Sequence, residues 1–203
     1  MTRVIVSVLI LAAAAQPVMP QEQPPEDVFN HSSRDLVFHV PPEFELVTQK
    51  RGYVNVAGQK VPRFHRIWQH GADGIIVNVG VWPEAVWHLG TDKERFDLVL
   101  TGMQLAEPTL KLVSRHSYQL DGCPAESITC FFAGPGGTSQ RMDCFLAQPN
   151  VFMLGYASSK PSSWDDPASK AFFQSISMKP IAPLRCKFSV IAMPPCGGLS
   201  LSR

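Results

Sequence analysis

The chain has 203 residues, 45% of them hydrophobic and 17% charged, with a formal net charge of +1. That length holds one domain with a full hydrophobic core and leaves little room for a second. A near-neutral balance without a basic or acidic block excludes an electrostatic case for nucleic acid or an acidic lipid surface.

Residues 1–15 open with a short stretch carrying Arg3, continue through an apolar run from Val4 to Leu11, and end in the small residues Ala12 to Ala15. This is the layout of a secretory signal peptide. The apolar run falls short of the ~20 residues that span a bilayer. The expectation is an exported protein, periplasmic or extracellular, with no stable membrane insertion after cleavage. Residues 16–35, which include QPVMPQEQPPEDVFN, are rich in Pro and Gln without an apolar period and read as a flexible leader. Residues 36–178 carry the periodic patterns of a folded domain, and 179–203 form a tail punctuated by Pro, Gly and two cysteines.

Within the domain, residues 36–40 form a short strand stopped by Pro41 and Pro42. A second strand surrounds Tyr53 to Val56. The stretches RFHRIWQ and IIVNVGVW flank HGADG and predict a hairpin about Ala72, with Ile67 opposite Val77 and His65 opposite Val79. Its core face would then hold Ile67, Val77, Val79 and Val81, with Phe64, Trp68, Ile76 and Trp82 behind them. Thr91 and Glu94 in TDKE form a capping box, and Phe96, Val99, Leu100 and Met103 follow at helical spacing, predicting a helix that stops before Pro108. Residues 110–120, 124–132, 140–147 and 150–158 read as an antiparallel meander joined by short turns. Asp165 and Asp166 before Pro167 then open a last helix carrying Ala168, Ala171, Phe172, Ser175 and Ile176. The expected class is α+β, an antiparallel sheet flanked by helices.

Five cysteines cannot all pair within one chain. A hairpin turning about Gly137 sets Cys130 opposite Cys144, both facing an apolar surface, where they either form a disulfide or stay as buried thiols. Export favours the bridge. Cys186 and Cys196 bracket a tail segment and could close a small loop, leaving Cys123 as an inert thiol without a C-x-x-C partner or a helix start to activate it.

No HExxH, G-x-S-x-G or phosphate-binding motif is present, and GPGGTSQR reads as a hairpin turn. Carboxylates such as Glu43, Glu45 and Glu84 show no spacing that pairs an acid with a base. His65 and His116 fall on core-leaning strand faces, and His70 sits in a turn. His88 could line a pocket with Trp82 and Trp87. The sequence thus carries no catalytic, cofactor or metal signature.

The strand ending at Pro41-Pro42 with Phe44, the capped helix after Trp87, the run DGCPAESITCFF, QRMDCFLA, NVFMLGYASS and the closing FFQSIS together resemble the Mog1/PsbP-like superfamily, including its DcrB-like bacterial members. The resemblance covers residues 36–178 and implies an α/β/α sandwich. Because that superfamily includes a photosystem accessory subunit, a partner of a small GTPase and secretion chaperones, it implies binding without fixing a ligand. The first reading is an exported, non-catalytic binding or assembly-accessory protein whose partner is another protein. The alternative is a small-ligand-binding protein or enzyme with a site near Trp82, Trp87 and His88. A pocket there with converging polar groups favours the alternative; a flat apolar patch favours the first. A third reading, a metal-dependent accessory role, needs at least three of His65, His70, His88, His116 and nearby carboxylates to converge.

Overall fold

The computed structural model describes residues 23–24, 34–56, 58–88, 90–133, 137–160 and 162–180. The expected signal peptide and the tail cysteines Cys186 and Cys196 lie outside them. The elements are β1 (Arg34–Val37), β2 (Glu45–Val56), β3 (Gln59–His70), β4 (Asp73–Val81), α1 (Glu84–Trp87), α2 (Asp92–Ala106), β5 (Leu110–Leu120), β6 (Cys123–Phe132), β7 (Thr138–Ala147), β8 (Asn150–Ser158), α3 (Pro167–Gln174) and β9 (Ser177–Pro180). Described structure therefore extends two residues beyond each end of the expected domain.

Seven strands form one antiparallel sheet in the order β2-β3-β4-β8-β7-β6-β5, and β1 pairs with β9 in a separate two-stranded ribbon. The sheet is two hairpin runs joined at its centre, where β4 meets β8. Its inner strands are rich in Val, Ile, Phe, Met and Cys on both faces, so each face needs a cover. One face carries Ile128, Cys130, Phe132, Met142, Cys144, Leu146 and Val151, closed by Phe96, Val99 and Met103 of α2. The other carries Ile75, Val77, Ala125, Phe145, Leu154 and Tyr156, closed by Phe172 and Phe173 of α3, Met178 of β9 and Phe44.

The covering helices start where the sequence says they should. The Glu94 amide donates to Thr91 Oγ1 at 3.4 Å and the Thr91 amide donates to Glu94 Oε2 at 2.5 Å, completing the capping box. Gly90 must be glycine here: its φ is +56° and an added Cβ would lie 1.6 Å from Glu94 Oε2. In α3, Asp166 accepts from the Ala168 amide at 2.9 Å and Pro167 takes the first turn.

Two pairings differ from expectation. His70 pairs with Asp73 and Ile67 with Ile76, leaving a two-residue turn of Gly71 and Ala72. The one-residue slip exchanges the faces of β3 relative to β4. Trp68 therefore joins Ile75, Val77 and Val79 over α3, while Trp82 belongs to the α2 side. In the second case Phe132 pairs with Thr138 and Cys130 with Gln140, because Thr138 and Ser139 extend β7 and do not belong to the loop. Cys144 stands opposite Glu126, four residues along its strand from the partner of Cys130. At about 3.3 Å of rise per residue that is far outside disulfide reach. Cys123, Cys130 and Cys144 are all free and buried.

Candidate functional site

The α2 face is incompletely filled. Toward the β2–β3 edge a pocket of about 280 Å³ opens between helix and sheet. Its floor is Val61 and Arg63 of β3, Asn78 and Gly80 of β4, and Val151 and Met153 of β8. Val54 and Val56 of β2 close one side, Trp82 lies at the end of β4, and Leu98, Thr101, Gly102 and Leu105 of α2 form the roof. These α2 residues recur three and four apart, as a second stripe beside the Phe96, Val99 and Met103 stripe that seats the helix. Leu105, 76% exposed, stands at the mouth.

Four polar side chains, Asn55, Arg63, Asn78 and Thr101, interrupt the apolar wall, and two of them, Arg63 and Asn78, lie on its floor. Arg63 and Asn78 sit diagonally across the β3–β4 ladder, since Arg63 pairs with Gly80 and His65 with Asn78. Among the described residues neither side chain has a hydrogen-bond partner, and Arg63 has no carboxylate partner. Burial pulls the Arg63 guanidinium below its ordinary pKa. Beside it, His65 is pulled down to about 4, by burial first and then by the charges of Arg63 and Lys50. Arg63 is also flanked on both sides by glycine, Gly52 on β2 and Gly80 on β4. A Cβ at Gly52 would meet nothing within 4 Å and one at Gly80 only the Trp82 ring at 3.7 Å, so the guanidinium has lateral room.

Arg115 and Arg141, by contrast, are each paired with carboxylates. Arg115 Nε donates to the buried Glu126 at 2.5 Å, and its Nη1 donates to Asp97 of α2, which ties the helix to the sheet. That pairing holds the Asp97 carboxyl below the usual carboxylate range. On the α3 face Tyr118 donates to Asp143 at 2.9 Å, Arg141 donates to both Asp143 oxygens at 3.0 and 2.9 Å, and the Arg141 guanidinium lies 4.0 Å from the Phe173 ring centre.

Of the three residues expected near a pocket, Trp82 lines it. Trp87 is buried behind, its ring centre 5.9 Å from that of Trp82 and its indole N–H donating to the Trp82 carbonyl at 3.3 Å. His88 is exposed and meets Glu84 at 3.4 Å. His116 does not face the core: it lies exposed on the edge strand β5, stacked on Tyr118 at 6.2 Å. Among the described residues no three His, Cys, Asp or Glu gather as a metal site. Burial raises the thiols, Cys130 to about 12 and Cys144 well above its ordinary value, and Cys123 Sγ donates to the Leu146 carbonyl at 3.0 Å. None is poised as a nucleophile. The pocket lining itself has no carboxylate, histidine or cysteine.

Arg63, Asn78, Leu98 and Leu105 were not singled out by the sequence patterns. The period of α2 carried the signal for the leucines, which repeat seven apart next to the core stripe. Arg63 and Asn78 become neighbours only through the corrected hairpin register.

No family model matches the sequence, and no curated protein matches it. Solved structures do. The solution structure of cyanobacterial PsbP from Synechocystis sp. PCC 6803 aligns with a TM-score of 0.50 at 11% identity, over 82% of this chain and 97% of that one. The fold is similar to that of PsbP. At such identity the likeness concerns fold alone. A Pseudomonas aeruginosa protein of unknown function aligns with a TM-score of 0.40 at 12% identity over 56% of this chain and 85% of that one. The T6SS immunity protein TplEi of the same organism also reaches 0.40, at 15% identity over 61% of this chain and 46% of that one.

Proposed function

We propose that this chain is an exported, non-catalytic binding protein of the Mog1/PsbP-like superfamily, and that the pocket beneath α2 is its ligand site. The observation that carries the reading is a mostly apolar pocket whose floor holds two polar side chains, Arg63 and Asn78, without partners among the described residues, the arrangement by which small-molecule sites combine affinity with orientation. Its volume of about 280 Å³ lies just below the roughly 300–1,000 Å³ usual for such sites, so the ligand is small. Export rests on the residue 1–15 pattern and superfamily membership on the motifs of residues 36–178.

The test is titration with a neutral, environment-sensitive dye such as Nile red. Saturable binding that Gly102→Leu abolishes, in a variant that still unfolds cooperatively, supports the reading. Binding unaffected by Gly102→Leu, or no saturable binding, contradicts it.

A second reading, attachment to another protein, draws on β5. This edge strand exposes Leu112 and Val113 at an irregularity in its pairing, and an unpaired edge of this kind is where a partner strand adds. Under it, Val113→Lys abolishes partner capture from the native envelope or secreted fraction while dye binding persists. Capture of the same partner by the variant contradicts it.

A further inference from the structure

The pocket makes an unusual demand on its occupant. An Arg63 guanidinium in a mostly apolar lining lacks a carboxylate among the described residues, although Arg115 has two and Arg141 has one. Partial burial of an unpaired cation is costly, and an anion brought in by a ligand relieves that cost with charge-assisted hydrogen bonds. Arginine suits a carboxylate in particular, because the planar fork donates two parallel N–H···O bonds. Asn78 can add a donor from the neighbouring strand. Apart from Asn55 and Thr101, the remaining lining offers a ligand's other end aliphatic and aromatic contact, from Val61, Val151, Met153, Leu98 and Leu105 among others. The volume admits one slender chain better than two.

Resting on the reading of this pocket as a ligand site, we propose that it takes a single-chain amphiphile with a carboxylate head, the chain lying between α2 and the sheet and the carboxylate held by Arg63 with help from Asn78. Lys50 and His65 lie on the same sheet face beside Arg63, Lys50 paired with His65 across the β2–β3 ladder, and bring positive or neutral groups only. They add no competing carboxylate.

The test is competition against bound Nile red on the full chain with decanoate, decanol and decylamine as probes. Decanoate is expected to compete about ten-fold or more better than decanol, as a charge-assisted pair predicts, and decylamine least. Arg63→Gln should bring the decanoate-to-decanol ratio to about one, and Arg63→Lys should restore part of it. Equal competition by decanoate and decanol, or a preference that survives Arg63→Gln, overturns the carboxylate assignment and leaves the pocket reading standing. If none of the three displaces the dye, the pocket reading falls with it. Should Arg63→Gln not fold, the three probes on the unaltered chain still decide.

Discussion

The two faces of the sheet are closed by different means, and the difference leaves open volume under one of them. Under α3 the cover is aromatic and continuous: Phe172 and Phe173 meet ring to ring at 5.1 Å, Phe38 stands edge-on to Phe172 at 6.1 Å, and β9 seals the side. The charge that reaches the interior there, Asp143, is paired with Arg141 and Tyr118. Under α2 the cover stops short. Gly80 and Gly102 stand where side chains would fill the space, and Arg63 borders it without a counter-ion among the described residues. A face built only for stability would resemble the first; the second retains room at a cost in packing.

The largest test of that contrast is truncation on each face. Phe172→Ala should cost about 3–5 kcal/mol of unfolding free energy by urea denaturation, as a fully buried aromatic in a packed site does. Leu98→Ala, beside existing empty volume, should cost about 1 kcal/mol or less. Equal losses would mean that both faces are packed alike.

Removing the tether of α2 comes next. Arg115→Leu strands Glu126, only 1% exposed, and should cost about 3 kcal/mol or more. Adding Glu126→Leu should return much of that loss, because the pair is then replaced by apolar volume. If the double variant is as unstable as the single one, the pair does more than neutralise a buried charge.

Acid should loosen the α2 face through His65. Its folded pKa of about 4 lies below the ordinary 6.5, so the unfolded chain takes up the proton first. The stability tied to neutral His65 is therefore complete above about pH 6.5 and is lost as pH falls toward 4. Arg63 and Lys50 are the charges that oppose its protonation. His65→Gln should flatten the decline in denaturation midpoint between pH 6.5 and 4, and an unchanged decline would remove His65 as its source.

The smallest effect expected is a gain. Gly102→Ala should stabilise by about 0.5–1 kcal/mol, since glycine is a poor interior helix residue. A loss would show that the helix needs glycine there for close approach and not for pocket room.

Much of this architecture was legible because local chemistry and period agree. The capping box at Thr91 and Glu94, the Asp166–Pro167 start and the 110–158 meander each combine a terminator with an apolar repeat. Register was harder, and the two slips show why. At Cys130 the pairing moved by an even number of residues, which kept Ile128, Cys130, Phe132, Met142, Cys144 and Leu146 on one face while separating the sulfurs. At His65 it moved by one, which exchanged faces and hid the Arg63–Asn78 site. Strand alternation reads faces well but cannot by itself fix which residues of a loop join the ladder.

Amide chemical-shift mapping during a decanoate titration tests the central claim most directly. Shifts concentrated at Gly80, Gly102, Val151 and Met153, with Ala125, Phe145 and Phe172 on the opposite face unmoved, are the predicted result. Shifts centred on the β5 edge at Leu112 and Val113, or spread equally over both faces, would contradict a ligand site beneath α2.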